Sequence, residues 1–254
     1  ITGLPIITAG SRVIRASKAW SFIRRHYTPE TGGSDLFSAN SLPASSPATI
    51  AMAGIMEIYF ELVNDPAGLK KACDELRGGA ALGFDVETTE LEPYKGELRL
   101  VQLSDGQKTV VIDVRAFSGQ QSAISNTELA PLRELLTSEK QVKIAHNAKF
   151  DTKWVRHHLG VEVGGVYDTY LASILIAAGE GDRRHGLADV VQFFLGRTLD
   201  KSEQVSDWSA NELSRSQLEY AAKDAAIMPE VMAKLGERIE SDGLAAVMEL
   251  ENQC

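Results

Sequence analysis

The stretch ALGFDVET, residues 81–88, constrains the fold more than any other. It opens as an apolar strand with no polar alternation, the pattern of a strand covered on both faces. Such a strand belongs in the middle of a sheet. It then runs into Asp85 and Glu87. Side chains on a strand repeat every two residues, so both carboxylates leave the same face. Two like charges on a central strand repel each other and are costly to desolvate. Either the strand has emerged into solvent by Asp85, or a cation sits with the pair.

The surrounding pattern sets the fold class. MEIYFELV, from Met56, reads as a strand, and NDPAGLKKACDEL as a helix with Asp65 as N-cap and Pro66 in its first position. ELRLVQLSD and KTVVIDV are strands joined by a DGQ hairpin signal. ELAPLRELLTS is a helix with its proline in the first turn, QVKIAHNA a strand, KFDTKWVRHHLG a helix closed by Gly160, and GGVYDT a short strand. YLASILIAAG, GLADVVQFFLG and the segment from Ser209 to about Gly243 read as helices. Three adjacent antiparallel strands followed by alternating helices and strands imply an α/β fold, a mixed sheet flanked by helices. Sites in such sheets gather at strand ends and the loops leaving them.

Composition narrows the function. The chain has 254 residues and a formal charge of −9, which argues against a protein that coats nucleic acid with a basic surface. An acidic body suits either cation-binding sites or plain solubility. Two distant cysteines, Cys73 and Cys254, make neither a disulfide framework nor a zinc site; they fit a reducing compartment, and a cytoplasmic location is expected. The apolar run YLASILIAAG is far short of the roughly 18 residues a membrane span needs, so no membrane partner is expected. Residues 1–55 differ from the rest: they are richer in Arg than in acids, then rich in Ser, Pro, Gly and Ala without periodicity. A linker, an organellar transit peptide and a translated stretch upstream of Met56 all fit them. Residues 56–243 are expected to form the domain, and 244–254 to begin a connecting helix.

Two further stretches carry acids. In HNAKFD, Asp151 falls in the first turn of a helix, where the helix dipole favours a carboxylate. Asn147 there reads as a turn residue and His146 as a packed imidazole. In YAAKDA, Tyr220 and Asp224 lie four apart and share a helix face. Each feature has an ordinary explanation by itself. Together they put four carboxylates and a tyrosine into one α/β chain. Such oxygen-rich sets suit Mg2+ or Mn2+, and two such ions about 3.5–4 Å apart clamp both oxygens of a phosphoryl displacement. A tyrosine with a pKa of about 10 is a poor base at neutral pH but a good group for orienting water.

FDVETT, HNAKFD and YAAKD resemble, in order, the three motifs of the DEDDy-class 3′–5′ exonucleases, which include the proofreading domain of family-A DNA polymerases and ribonuclease D. The stretch from His185 to Ala225 is similar to both groups, and the resemblance covers about residues 57–240. It implies a ribonuclease-H-like fold. It also implies that Asp85, Glu87, Asp151 and Asp224 hold two divalent cations, Mg2+ or Mn2+, with Asp85 bridging them. Tyr220 would position the water that attacks the last phosphodiester of a single-stranded DNA or RNA 3′ end, releasing a nucleoside 5′-monophosphate. Thr88 and Leu91 would meet the 3′-terminal nucleotide, with Asn147 and Phe150 as further contacts. The plainer alternative is that Leu91 and Phe150 pack and Thr88 and Asn147 cap. Arg183 and Arg184 either meet the backbone phosphate or belong to a solvated loop, and the loop is the preferred reading. The expected function is the proofreading domain of a family-A DNA polymerase, with GERIESDGLAAVMELENQC leading into a linked polymerase domain. The alternative is a stand-alone ribonuclease D-like enzyme trimming structured RNA. An inactive nucleic-acid-binding module is the third reading, against which all four acids speak. The small residues between Tyr220 and Asp224 would let their helix approach the sheet closely.

Overall fold

The computed structural model describes residues 58–117 and 126–252; the segment 1–55 singled out above lies outside the described residues. Six strands form one sheet: β1 (Phe60–Val63), β2 (Ala81–Thr88), β3 (Leu98–Ser104), β4 (Thr109–Asp113), β5 (Val142–Ala145) and β6 (Val166–Asp168). Their order across the sheet is β1-β4-β3-β2-β5-β6. The meander β2-β3-β4 is antiparallel, as the hairpin signal implies. The other pairs, β1 on β4, β5 on β2 and β6 on β5, are parallel. ALGFDVET therefore is central, between β3 and β5.

Seven helices flank the sheet among the described residues: α1 (Pro66–Leu76), α2 (Ala130–Thr137), α3 (Ala148–Leu159), α4 (Thr169–Ile176), α5 (Leu187–Leu195), α6 (Arg215–Ser241) and α7 (Ala245–Glu251). None is long and apolar enough to cross a membrane. Local chemistry sets their ends. Asp65 caps α1 by accepting from the Ala67 and Gly68 amides, both at 3.0 Å, and Gly160 ends α3 at φ 70°. The strand begun at Met56 in the sequence reading starts at Phe60 within the described residues. The helix expected from Ser209 starts six residues later, where Ser214 and Gln217 form a capping box. Residues 209–211 are kept out of it because their carbonyls accept hydrogen bonds from Arg99 and Arg115. The final helical run is broken at Gly243, φ 70°, before α7 begins.

The strand period sorts the core. Leu82, Phe84 and Val86 join the cluster beneath α1, α2 and α3, which includes Leu69, Leu132 and Trp154. Gly83, Asp85 and Glu87 project to the opposite face, over which α6 lies. There Leu100 and Val111 pack against Ala221 and Ala222. The approach is extreme at Gly83: a Cβ on it would stand 1.9 Å from the Ala225 carbonyl oxygen. The small residues of YAAKDA have the role expected of them, since Ala221, Ala222 and Ala225 are fully buried. Overpacking of a tight core typically costs about 1–3 kcal/mol, and backbone is the obstacle here, so Gly83→Ala is expected to destabilise by at least that much. Urea unfolding measures it; an unchanged midpoint would contradict the contact.

Candidate active site

Three elements deliver the acids. Asp85 and Glu87 stand at the C-terminal half of β2 on the α6 face, both half-buried. Asp151 comes from the first turn of α3 and is 2% exposed. Tyr220 and Asp224 come from α6, one turn apart on one face, near enough for the Asp224 charge to raise the tyrosine's pKa. All five line one cleft of about 270 Å³, together with Asn147, Phe150 and His146.

The start of α3 is set by a residue that the sequence reading passed over. Asp168, at the end of β6, accepts from the Asn147 amide at 3.0 Å and the Ala148 amide at 2.9 Å. It also accepts from the Tyr170 amide at 2.8 Å, capping α4. One carboxylate thus starts two helices. Asn147 holds a left-handed conformation, φ 64° and ψ 51°, and its side chain makes no capping hydrogen bond. Asn147 occupies the N-cap position of α3 without a side-chain cap, and the residue is exposed and lines the cleft. His146 is neutral scaffold. Burial pushes its pKa down to about 4, its Nε2 donates to the His185 carbonyl at 2.8 Å, and its Nδ1 is 2.9 Å from the Thr169 hydroxyl.

Thr88 and Leu91 do not line the cleft. The Thr88 hydroxyl donates to the Glu90 carbonyl at 2.8 Å. Leu91 is 76% exposed, and its carbonyl accepts from Lys153 Nζ at 3.2 Å. The same ammonium lies 5.1 Å from the centre of the Phe150 ring, which joins the rim at Leu91 to the cleft wall. Arg183 pairs with Glu180 and stacks on Phe193, 4.0 Å from the ring centre, away from the acids. Leu199, Asp200, Lys201 and Gln204, which no motif in the sequence marks as site residues, also line the cleft. A short charged turn has no period to betray it. Lys201 is its cation, 3.7 Å from Asp189 of α5.

The acids are gathered against their own electrostatics. The Asp85 carboxyl is held well above the usual carboxylate range, first by burial, then by Asp151, Glu87 and Asp224. Glu87 is raised by burial and then by Asp224 and Asp151. Asp151 is raised by burial, against backbone amides that pull it down. Burial pushes Asp224 up to about 7, although the Tyr220 hydroxyl and Lys223 draw it down. Tyr220 is held above the tyrosine range by burial and then by Asp224, Glu87 and Asp85, so it stays neutral and can donate. Among the described residues no three such side chains already surround one point as a closed metal cage. The donor set is nevertheless what a hard divalent cation takes: four carboxylates on one cleft, whose mutual repulsion a cation removes.

A family model described as 3′-5′ exonuclease matches residues 60–240. The chain belongs to this family. Its sheet, antiparallel at β2-β3-β4 and covered by helices, is the ribonuclease-H-like fold of these exonucleases. DNA polymerase I of Aquifex aeolicus is 37% identical over 176 residues, covering 69% of this chain and 27% of that protein. Ribonuclease D of Zymomonas mobilis is 27% identical over 197 residues, covering 77% of this chain and 47% of that protein. The chain thus spans about a quarter to a half of the length of these relatives. Among solved structures, Escherichia coli RNase D, an exoribonuclease involved in structured RNA processing, matches at TM-score 0.64 and 26% identity, over 78% of this chain and 51% of that one. Brucella melitensis NrnC with bound Mg2+ matches at TM-score 0.59 and 32% identity, over 68% and 80%. Exonucleases of this family use divalent metals.

The raised acids carry a stability signature. Asp224 keeps its proton in the metal-free native state up to about pH 7, whereas an ordinary aspartate in the unfolded chain releases it near pH 3.8. Its contribution to stability is intact at acid pH and is lost as the pH rises through that window. In EDTA at about pH 8, Asp224→Asn is therefore expected to be more stable than the parent by on the order of 1–3 kcal/mol, read as a raised urea midpoint. The gain should fade toward pH 4. A gain independent of pH would show that charge is not its source.

Proposed function

We propose that this chain is a two-metal 3′–5′ exonuclease. It hydrolyses the terminal phosphodiester of a single-stranded nucleic acid and releases nucleoside 5′-monophosphates. The convergence of Asp85, Glu87, Asp151, Tyr220 and Asp224 from three separate elements on one cleft carries this reading. The four carboxylates would hold two cations, Mg2+ or Mn2+, with Asp85 shared. Such ions supply charge neutralisation to the attacking and leaving oxygens. Tyr220, kept neutral by burial and the neighbouring carboxylates, is a donor that aims the attacking water rather than a base. Phe150 on the wall and the exposed Leu91 on the rim offer apolar surface to the terminal base, and Thr88 and Asn147 offer polar contacts. An enzyme that grips a few nucleotides at a 3′ end needs little basic surface, so the net charge of −9 is tolerable.

The 37% identity to a DNA polymerase I supports the proofreading domain of a family-A polymerase, with a polymerase domain linked beyond residue 254. A second reading, a ribonuclease D-like trimming enzyme, is favoured by the match to E. coli RNase D over 78% of the chain. Incubation with 5′-labelled single-stranded DNA and RNA of one sequence, in Mg2+, Mn2+ or EDTA, tests both. Laddering from the 3′ end that EDTA abolishes is expected; internal cuts, or decay in EDTA, would sink the mechanism. Faster decay of DNA supports proofreading, and faster decay of RNA supports trimming. Tyr220→Phe should retain substrate binding while turnover falls about 10²-fold, the scale of losing one aimed donor.

A further inference from the structure

Tyr220 is held from behind as well as from the cleft. Its ring lies against Trp208, with ring centroids 6.4 Å apart and planes tilted by 39°. Trp208 is buried, packed with Leu100 and Val111 of the sheet and Ala221 and Ala222 of α6. Yet Trp208 belongs to no strand or helix, so its place must be set by other means.

Two arginines set it. Arg99 on β3 is 2% exposed and donates from Nη1 to the Ala210 carbonyl at 2.6 Å and from Nη2 to the Asn211 carbonyl at 3.3 Å. Arg115, just past β4, donates from Nη1 to the Ser209 carbonyl at 2.9 Å and the Ala210 carbonyl at 3.3 Å. Three successive carbonyls immediately after Trp208 are thus gripped by two guanidinium groups. Asp113 joins the pair: its Oδ2 accepts from Arg99 at 3.1 Å and its Oδ1 from the Arg115 amide at 3.1 Å. On the other side of Trp208, Gln217 in the first turn of α6 donates to the Asp207 carbonyl at 3.2 Å. The segment is tied to the sheet at one end and to the start of the Tyr220 helix at the other.

Burying a guanidinium is costly, and Arg99 Nε finds no hydrogen-bond partner. Apolar residues could close the same surface at less cost. What the arginines add is a fixed position. We propose that Trp208, clamped through Arg99 and Arg115, is a positioning residue that sets the tilt of the Tyr220 ring and hence the place of its hydroxyl in the cleft. The inference rests on the role given to Tyr220 in the proposed function. Without the indole wall the phenol ring can swing back into the space it leaves, and small misplacements of an aiming group are expensive in rate.

A double-mutant cycle in the full chain, scored on a 5′-labelled single-stranded oligonucleotide, tests this. Trp208→Leu is expected to lower kcat about 10-fold with KM unchanged within about twofold. In the Tyr220→Phe background, with no hydroxyl left to aim, the same substitution should cause no further loss. An equal loss in both backgrounds, or a loss carried by KM, would overturn the positioning role while leaving the exonuclease assignment intact. Full turnover in Tyr220→Phe alone would remove the aiming role of Tyr220 and this inference with it. Should Trp208→Leu fail to fold, Arg99→Lys gives the same cycle. It keeps the charge but not the fork, and the expected result is a loss of about threefold in kcat that vanishes in the Tyr220→Phe background; persistence of the loss there would overturn the proposal.

Discussion

The contact between Gly83 and the Ala225 carbonyl governs the rest of the molecule. The sheet has room there for a hydrogen atom and not for a methyl group. Asp85 follows Gly83 by one strand repeat, and Asp224 precedes Ala225 by one residue. Van der Waals approach at this point therefore sets Asp224 over Asp85. Tyr220, one turn earlier on the same helix, reaches Glu87 and Asp85, whose charges both raise its pKa. A helix standing off by the usual side-chain layer would leave the acids on two separate surfaces.

That packing works against the charges it brings together. Burial pushes all four carboxyls up, the neighbouring acids push Asp85 and Glu87 further, and the fold holds them by other forces. The apolar clusters on the two faces of the sheet anchor β2, α3 and α6 independently of the site. Asp168 fixes where α3 begins, and so where Asp151 points. The strain is electrostatic and local, which is what a cation site needs: an acidic cleft already shaped, whose repulsion the ion relieves.

Much of this was legible from residue order. The apolar run before Asp85 implied a central strand, the hairpin signal implied the antiparallel meander, and period two put Asp85 and Glu87 on one face. Asp65, Pro66 and Gly160 marked helix ends correctly because caps are local chemistry. The misses are non-local. Local pattern starts α6 at Ser209, since nothing nearby forbids a helix there. The carbonyls that would have entered it are claimed by Arg99, 111 residues away from Ala210 in sequence. Asp168 and Lys201 went unremarked for the same reason, since each acts on segments that only folding makes its neighbours.

Residue order alone carried the α/β class, the family, and the four acids and the tyrosine that line the cleft, because strand and helix periods and three spaced motifs are written in it. Only tertiary structure decided that these residues share one cleft, that the Asn147 side chain makes no capping hydrogen bond, that Leu91 is exposed, and that Trp208 backs Tyr220. These facts depend on which surfaces meet, and a meeting such as that of Gly83 with Ala225 is a matter of tenths of an ångström between elements, which no local pattern records.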